Sequence, residues 1–335
     1  MQMKEKYFIY ITLLSLLLSS PTIHSKDIVS REKFISYMEE KHGFNYKELN
    51  LLFDKTIISK SILDAIQRPA EKKFLWYQYR KIFLKEKRIK EGVKFWLDNR
   101  LKLEEAEKKF GVPPEIITAI IGVETFYGRN SGNYRVIDSL STLAFHYPKR
   151  AAFFLSELEH FLLLAREQNF DPEKLKGSYA GAMGMPQFIS SSYRNYAIDF
   201  DNDNVVDIWH NTNDVIGSVA NYFFEHGWKN NEPIISKVMI EGSQYKNILD
   251  KGLELNINRT DLKKYGILTN LDFHDYEKLK LFEFKLENSS EFWLAQKNFY
   301  VITRYNHSKL YAMAVYQLAQ KIKEYKYNKD NNKEN

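Results

Sequence analysis

The sequence predicts a mainly α-helical protein that carries one short β-rich segment. Two long stretches, residues 27–110 and 115–230, mix charged and apolar side chains at helical spacing. After Trp228 the pattern changes to period-two alternation, as in ISKVMIEG and KLFEFKLE, which is typical of strands. Hydrophobic residues make up 44% of the 335 residues, so the chain can bury a sizeable core.

The predicted elements divide the chain into consecutive parts. Pro113 and Pro114 suit the first turn of a new helix after a break at GVPPE. The alternation extends through EFWLAQKNFYVITRYN, and Ser308 is the expected cap of a last helix. In chain order, we expect a signal peptide (1–25), a helical domain (27–110), a core (111–231), a β-rich insertion (232–304), a C-terminal helix (305–323) and a polar tail (324–335).

The first 25 residues predict an export signal. Lys4 and Lys6 precede an apolar run over residues 7–18, and the small and polar residues SSPTIHS follow, with cleavage expected after Ser25. The apolar run is too short to span a bilayer comfortably. An uncleaved anchor or an ordinary N-terminal helix remains the alternative. An exported chain of this kind fits a bacterial periplasm.

The chain contains no cysteine and carries a net charge of +6. Disulfides are therefore excluded, and a lipid anchor attached to a cysteine at the cleavage site is not expected. The positive charge would favour approach to an anionic polymer. Because no arginine-rich stripe with interleaved aromatic residues occurs, nucleic acid is not an expected partner.

A single acid, Glu124, interrupts the apolar face of the helix predicted to begin near Pro114. Ile117 and Ile121 share that face with it at helical spacing. A carboxyl group there would be partly desolvated, which raises its pKa as a general acid near neutral pH requires. The alternative is a structural Glu held by Arg129 or by a capping donor, and periodicity alone does not decide between the two.

The run DFDNDNVVD has the spacing of an EF-hand calcium loop between predicted helices at 190–198 and 214–226. Its carboxylates at positions 1, 3, 5 and 9 and its carbonyl at position 7 belong to Asp199, Asp201, Asp203, Asp207 and Val205. Two positions depart from the pattern. Asn204 replaces the usual glycine but tolerates a left-handed conformation, and His210 replaces the final Glu. Hard oxygen donors favour a structural Ca²⁺, while a solvated turn without an ion is the alternative.

Six motifs in order together resemble the lytic murein transglycosylase B family over nearly the whole chain after the signal. They are GVETFYG (122–128), SLSTLAFHYPKRAAFF (139–154), GSYAGAMGMPQFISSSY (177–193), DFDNDNVVDIW (199–209), IGSVANYF (216–223) and ITRYNHSKLYAMAVYQLA (302–319). The resemblance implies a lysozyme-like, SLT-type core flanked by a helical domain and a small β-rich domain.

The resemblance also implies a reaction. The family cleaves the β-1,4 bond between N-acetylmuramic acid and N-acetylglucosamine in peptidoglycan, with one glutamate acting first as acid and then as base. The muramyl C6 hydroxyl is the nucleophile, so a 1,6-anhydro ring forms. Ordinary glycosidases need a second carboxylate, about 5 Å or roughly 6.5–9.5 Å from the first. By resemblance the single acid is Glu124. Asp138, the next acid in sequence, is not expected to take part.

The resemblance further implies binding residues. Ser178 and Gln187 would line the saccharide cleft, although GSYAGAMGMPQF could also be a packing turn. Lys149 and Arg150 would meet the lactyl carboxylate or the stem peptide; the family usually has arginine at both positions. Asp214 would close the calcium site, and no organic cofactor is expected. The aromatic and amide cleft positions are Tyr79, Tyr222, Tyr305, Asn306 and Tyr311, although each of the chain's 22 tyrosines could instead be a core residue.

Three classes of function fit these observations. The first is a lytic transglycosylase acting on peptidoglycan glycan strands, with wall-synthesis proteins as candidate partners. The second is a lysozyme-type hydrolase that cuts peptidoglycan or chitin with water. The third is a non-catalytic wall-binding protein, against which the intact Glu124 argues.

Overall fold

The computed structural model describes residues 29–67, 74–249, 252–271 and 277–331, with side chains to residue 329. The predicted signal at 1–25 lies outside the described residues. The mainly α-helical prediction is confirmed. No helix in the described part of the chain combines the length and apolar character needed to cross a membrane.

Thirteen α-helices and seven strands occur within the described ranges. The helices are α1 (Arg31–His42), α2 (Tyr46–Asp54), α3 (Lys60–Ile66), α4 (Trp76–Phe83), α5 (Glu86–Asp98), α6 (Arg100–Phe110), α7 (Pro114–Thr125), α8 (Val136–His146), α9 (Ala151–Glu167), α10 (Ser190–Tyr196), α11 (Thr212–Glu225), α12 (Lys297–Tyr305) and α13 (Lys309–Asn331). The strands are β1 (Tyr134–Arg135), β2 (Lys176–Gly177), β3 (Ile235–Ile240), β4 (Ile257–Asn258), β5 (Ile267–Leu268), β6 (Lys278–Lys285) and β7 (Ser290–Ala295).

The chain divides into two compact units. Among the described residues, the first unit comprises 29–67 and 128–215, and the second comprises 74–127 and 216–331. In the first unit α8 packs against α9, and α9 against α10. In the second, α7 packs against both α5 and α13. The domain boundaries drawn from the sequence stay a prediction.

The strands of the β-rich segment form a five-stranded antiparallel sheet in the order β4-β6-β7-β3-β5. Their inward side chains bury an apolar cluster that includes Val238, Leu281 and Leu294. The strand interpretation of EFWLAQKNFYVITRYN is correct only to Ala295, because α12 follows. Asn298 holds this helix: its amide donates to the carbonyls of Lys229 (2.8 Å) and Glu232 (3.0 Å). The buried Phe299, Ile302 and Tyr305 of α12 recur at helical spacing, which the alternation concealed.

The last helix begins as predicted and ends later. Ser308 Oγ accepts the backbone N–H of Tyr311 at 3.3 Å, which confirms its capping role. The helix continues to Asn331, so the expectation of a frayed tail from residue 324 is wrong through that residue. Lys326 lies 5.3 Å from the centre of the Trp96 ring, a contact that holds this extension against α5.

Candidate active site

Helix α7 places one carboxyl group at the end of an otherwise buried segment. Pro114 begins the helix, as predicted, because its missing N–H is one that the first turn leaves unbonded anyway. Every residue of α7 is buried except Glu124, which is half-buried. The helix therefore holds a partly desolvated carboxyl group between two residues that are themselves buried.

Tyr311 is one partner of that carboxyl group. Its hydroxyl donates a hydrogen bond of 2.5 Å to Glu124 Oε1 across 187 residues of sequence. The tyrosine side chain is fully buried in α13. Burial raises the pKa of Tyr311 well above its usual value, and the charge of Glu124 raises it further. The hydroxyl consequently keeps its proton and remains a donor throughout the working range of pH.

Three more predicted tyrosines belong to the same unit. Burial raises the pKa of Tyr305, with a smaller contribution from the charge of Glu124. The Tyr222 and Tyr305 rings lie 4.8 Å apart, and the Tyr222 hydroxyl donates to the Arg304 carbonyl at 2.7 Å. Tyr79 makes a further, smaller contribution to the raised pKa of Tyr311. Since each of these rings is at most 6% exposed, they pack mainly among neighbouring side chains. Asn306, also buried, immediately follows α12.

In the first unit, the predicted saccharide loop is braced by its own polar side chains. Ser178 is fully buried, and its Oγ accepts the N–H groups of Ala180 (3.3 Å) and Ala182 (3.0 Å). The Gln187 amide donates to the carbonyls of Gly184 (2.9 Å) and Ser131 (3.1 Å). Both side chains therefore fix the shape of the loop. Their contact with a sugar stays a prediction.

Close backbone approach explains a glycine beside this loop. Gly132 has φ +93°, and a Cβ there would lie 2.1 Å from the Gly177 carbonyl oxygen. Only glycine fits both the conformation and the space. Gly132 thereby fixes where the turn at 128–132 meets β2.

The two predicted cations of the first unit differ in environment. Lys149 is exposed, whereas Arg150 is half-buried with its guanidinium 4.1 Å from the centre of the Phe153 ring. Burial lowers the pKa of Arg150, but an arginine keeps its charge in proteins. Their contact with a carboxylate of the substrate stays a prediction.

The acidic loop brings three of its carboxylates together. One oxygen from each of Asp199, Asp201 and Asp203 lies within 4.8 Å of the others. Asn204 has φ +70°, so it takes the left-handed conformation that the usual glycine would supply. Helices α10 and α11 flank the loop, close to the predicted ranges. This set of hard oxygen donors fits a calcium ion.

The two later acids of the loop hold its backbone. Asp207 Oδ1 accepts the N–H groups of Trp209 (2.8 Å) and His210 (3.0 Å). Asp214 is fully buried, and its two oxygens accept from Phe200 N and Asp207 N, both at 2.8 Å. Burial raises the pKa of Asp214 to about 6. The predicted ligand roles of Asp207, Asp214 and the Val205 carbonyl stay predictions.

Comparison with known proteins decides the family. A model of the transglycosylase SLT domain matches residues 29–320. The chain belongs to this family. It is 39% identical over 300 residues to the membrane-bound lytic murein transglycosylase B of Escherichia coli strain K12, covering 87% of this chain and 82% of that protein. The family resemblance in the six motifs is thus confirmed.

Solved structures of SLT-family proteins confirm the lysozyme-like, SLT-type fold class. Soluble lytic transglycosylase SltB1 from Pseudomonas aeruginosa superposes with a TM-score of 0.83 at 49% identity, covering 87% of this chain and 97% of that one. Slt35 from Escherichia coli in complex with calcium gives 0.82 at 38% identity, covering 88% and 93%. SltB3 from Pseudomonas aeruginosa in complex with NAG-anhNAM-pentapeptide gives 0.75 at 27% identity, covering 87% and 78%.

Two asparagines that bond to the acidic loop were not predicted from the sequence. The side-chain amides of Asn211 and Asn213 donate to Asp201 Oδ2 at 3.0 and 2.8 Å. The asparagines in HNTND, which directly follow the acidic run, were the available signal. Asp138 has a separate role in the first unit, where its Oδ1 accepts the N–H of Ile57 at 3.0 Å.

Proposed function

We propose that the protein is a lytic transglycosylase that cleaves the β-1,4 bond between N-acetylmuramic acid and N-acetylglucosamine in peptidoglycan, with Glu124 as its single acid and base. The observation that carries this proposal is the half-buried carboxyl of Glu124 bonded to the Tyr311 hydroxyl at 2.5 Å. Membership of the SLT family supports the reaction class.

The first step is protonation of the leaving group. The Glu124 carboxyl donates its proton to the glycosidic oxygen as the bond from that oxygen to muramyl C1 breaks. Glu124 is half-buried at the end of α7, so its carboxyl is partly shielded from water where this step takes place. The N-acetylglucosamine leaves with a free 4-hydroxyl, and positive charge develops at C1.

The second step closes the anhydro ring. The muramyl C6 hydroxyl attacks C1, and its proton passes to the Glu124 carboxylate, which restores the acid. The Tyr311 hydroxyl donates to Oε1 and thereby stabilises the carboxylate between the two steps. No water is consumed, and because the nucleophile belongs to the substrate a second carboxylate is unnecessary.

Substrate binding is assigned to the polar and aromatic side chains already described. In the second unit, Tyr79, Tyr222, Tyr305 and Asn306 supply ring edges and polar groups in the unit that holds Glu124. In the first unit, Ser178 and Gln187 fix a loop whose backbone can approach a sugar. Lys149 and Arg150 supply positive charge for the lactyl carboxylate or the stem peptide.

Product analysis tests the reaction class. Purified murein is digested with the protein, and the released muropeptides are weighed. Anhydromuropeptides are expected. Products heavier by one water, with reducing muramic ends, would instead assign a hydrolase. Retained sacculus binding without products would assign a wall-binding protein.

We assign the protein to the periplasm, where glycan strands are accessible and wall-synthesis proteins are candidate partners. The export signal predicted at residues 1–25 supports this location, and the absence of cysteine is consistent with a chain that carries no lipid on that residue. Release of the mature chain from cells by osmotic shock would support this assignment. Retention in the cytoplasmic fraction would contradict it.

A calcium ion bound by Asp199, Asp201 and Asp203 is the proposed structural cofactor. Ion binding to the folded state alone stabilises it by about 2.7 kcal/mol when Ca²⁺ exceeds its Kd 100-fold. We therefore expect Ca²⁺ to raise the Tm by about 4 °C and EGTA to reverse the increase. Turnover of the folded enzyme should barely change, since no step of the reaction uses the ion.

Matched variants localise the effect. Asp201→Asn should abolish the calcium-dependent shift in Tm, because it removes a charged ligand from the group. Asp171→Asn is the control, since Asp171 also accepts a local backbone N–H in the same unit but lies outside that group. A Tm that changes with neither Ca²⁺ nor EGTA would rule out the site.

A further inference from the structure

Arg88 is a half-buried cation that no carboxylate meets within the described part of the chain. Its guanidinium lies 5.1 Å from the centre of the Phe83 ring and 5.2 Å from that of Phe126. One terminal nitrogen donates to the Ile82 carbonyl at 2.7 Å, while Nε is buried and has no hydrogen-bond partner among the described residues. Taking a charge partly out of water without an ion pair has a cost, so the placement of Arg88 calls for a role.

The turn that Arg88 contacts begins at Phe126, two residues after Glu124 and directly after the last residue of α7. Phe126 and Tyr127 have φ of +54° and +60°. Their N–H groups bond to the carbonyls of Gly122 and Ile121, both at 3.2 Å, which is the helix-ending arrangement that usually has glycine at the first left-handed position. The left-handed conformation costs a non-glycine residue roughly 1–2 kcal/mol. Two such residues in succession need outside contacts to hold them.

Arg88 and α5 supply those contacts. The Tyr127 hydroxyl donates to the Arg88 carbonyl at 2.9 Å, and its ring stacks on Phe95 at 5.6 Å between centres. The ring also fills space that the missing side chain of Gly122 leaves, since a Cβ there would lie 2.6 Å from the Tyr127 hydroxyl. The Arg88 guanidinium lies 5.2 Å from the centre of the Phe126 ring. Arg88 thus contacts both left-handed residues: its carbonyl accepts from the Tyr127 hydroxyl, and its guanidinium lies over the Phe126 ring.

We propose that Arg88 is a positioning residue for the reaction: by holding the Phe126–Tyr127 turn, it fixes the end of α7 and keeps the Glu124 carboxyl on the Tyr311 hydroxyl. Arg88 acts through the turn and does not touch the reacting atoms. The inference rests on the proposed acid and base role of Glu124. It accounts for a cation without an ion pair and for an aromatic residue where glycine would be less strained.

The first test replaces the side chain and keeps the backbone carbonyl. In Arg88→Met, kcat should fall roughly 10- to 100-fold, since a displacement of about 1 Å at a catalytic group can cost that much. KM and sacculus binding should stay within about twofold, because no substrate contact is removed. Arg88→Lys keeps a cation on the rings and should recover part of kcat. All rates are measured well below each variant's Tm.

Arg166→Met is the matched control. The Arg166 guanidinium lies 4.2 Å from the Phe44 ring centre and donates to the His42 carbonyl at 2.7 Å, so it makes the same kinds of contact in the first unit. The Arg166→Met replacement should lower the Tm without changing kcat. A folded Arg88→Met protein with wild-type kcat would overturn the proposal, as would an activity loss equal to the unfolded fraction.

A second variant separates positioning from stability. Phe126→Gly relieves the left-handed strain, which offsets part of the stability lost with the ring. Its kcat should still fall, because the Arg88 guanidinium loses its contact with the turn. The two kcat losses should not add in the double variant, since both act through one turn. Additive losses would contradict the proposal. If Arg88→Met does not fold, wild-type kcat in folded Phe126→Gly would overturn it instead. Retained activity in Glu124→Gln would instead refute the proposed function, which keeps the two failures distinct.

Discussion

Glu124→Gln is expected to bind sacculi as the wild type does and to lose cleavage by about 10³-fold or more. The amide is nearly the same size and still accepts the Tyr311 hydrogen bond, but it can neither give a proton to the glycosidic oxygen nor take one from the C6 hydroxyl. General acid or base catalysis contributes roughly 10²–10⁴-fold, and here one group performs both steps. The measurement is release of anhydromuropeptides from purified murein, alongside sacculus binding.

Glu115→Gln is the control on the same helix. Glu115 is 6% exposed and pairs with Lys323 at 2.7 Å near the start of α7. Its replacement removes a more deeply buried carboxylate from the same helix, so it should lower the stability while leaving kcat of the folded protein unchanged. Normal activity in the Glu124 variant would remove that residue from the mechanism. Equal losses in both variants would point to damage of α7 instead.

The single-acid mechanism requires that Asp138 take no part in the reaction. This carboxylate accepts the Ile57 N–H and lies 3.6 Å from Arg135 Nε, so Asp138→Asn should cost stability. At a temperature where the variant is folded, its kcat should match the wild type. A large loss of kcat in folded Asp138→Asn would mean that a second acid enters the reaction.

Local signals predicted the elements that hold the candidate site residues. Pro114 and the apolar periodicity predict α7, because each signal acts within one or two helical turns. The acidic loop was equally accessible, since the acids from Asp199 to Asp207 fall within nine residues of sequence. Asn204 took the left-handed conformation expected of it. At these places, the residues that determine the structure are close neighbours in the chain.

Long-range packing could not be predicted from such patterns. The prediction of a strand was wrong at α12 because period-two alternation and helical periodicity coincide over short apolar runs. The hydrogen bonds from the Asn298 amide to carbonyls distant in sequence favour the helix. The contact between Tyr311 and Glu124 spans 187 residues and was reachable only through the family resemblance. The Tyr127 side chain occupies space that a side chain at position 122 would fill, so its placement depends on Gly122.

Tyr311→Phe is the second replacement expected to have a large effect. It removes one hydroxyl from a fully buried ring and leaves the ring's packing in place. A hydrogen bond to a charged group contributes about 1.5–3 kcal/mol, so kcat should fall roughly 10- to 100-fold. Tyr316→Phe, on the same helix, is the control and should leave kcat unchanged. Wild-type kcat in the Tyr311 variant would show that the Glu124 carboxylate does not need this donor.

The pH dependence of stability tests the same hydroxyl independently. Burial raises the pKa of Tyr311 in the folded protein above the value of about 10 that an unfolded tyrosine has. A raised folded pKa means that the folded state retains the proton after the unfolded state has lost it. Stability contributed by the neutral phenol is therefore complete below about pH 10 and is lost as the pH rises beyond it. Phenylalanine cannot ionise, so the Tyr311→Phe protein should gain stability relative to the wild type between about pH 9 and 11 in urea unfolding. A constant difference across that range would mean that the Tyr311 hydroxyl ionises as easily in the folded protein as in the unfolded chain.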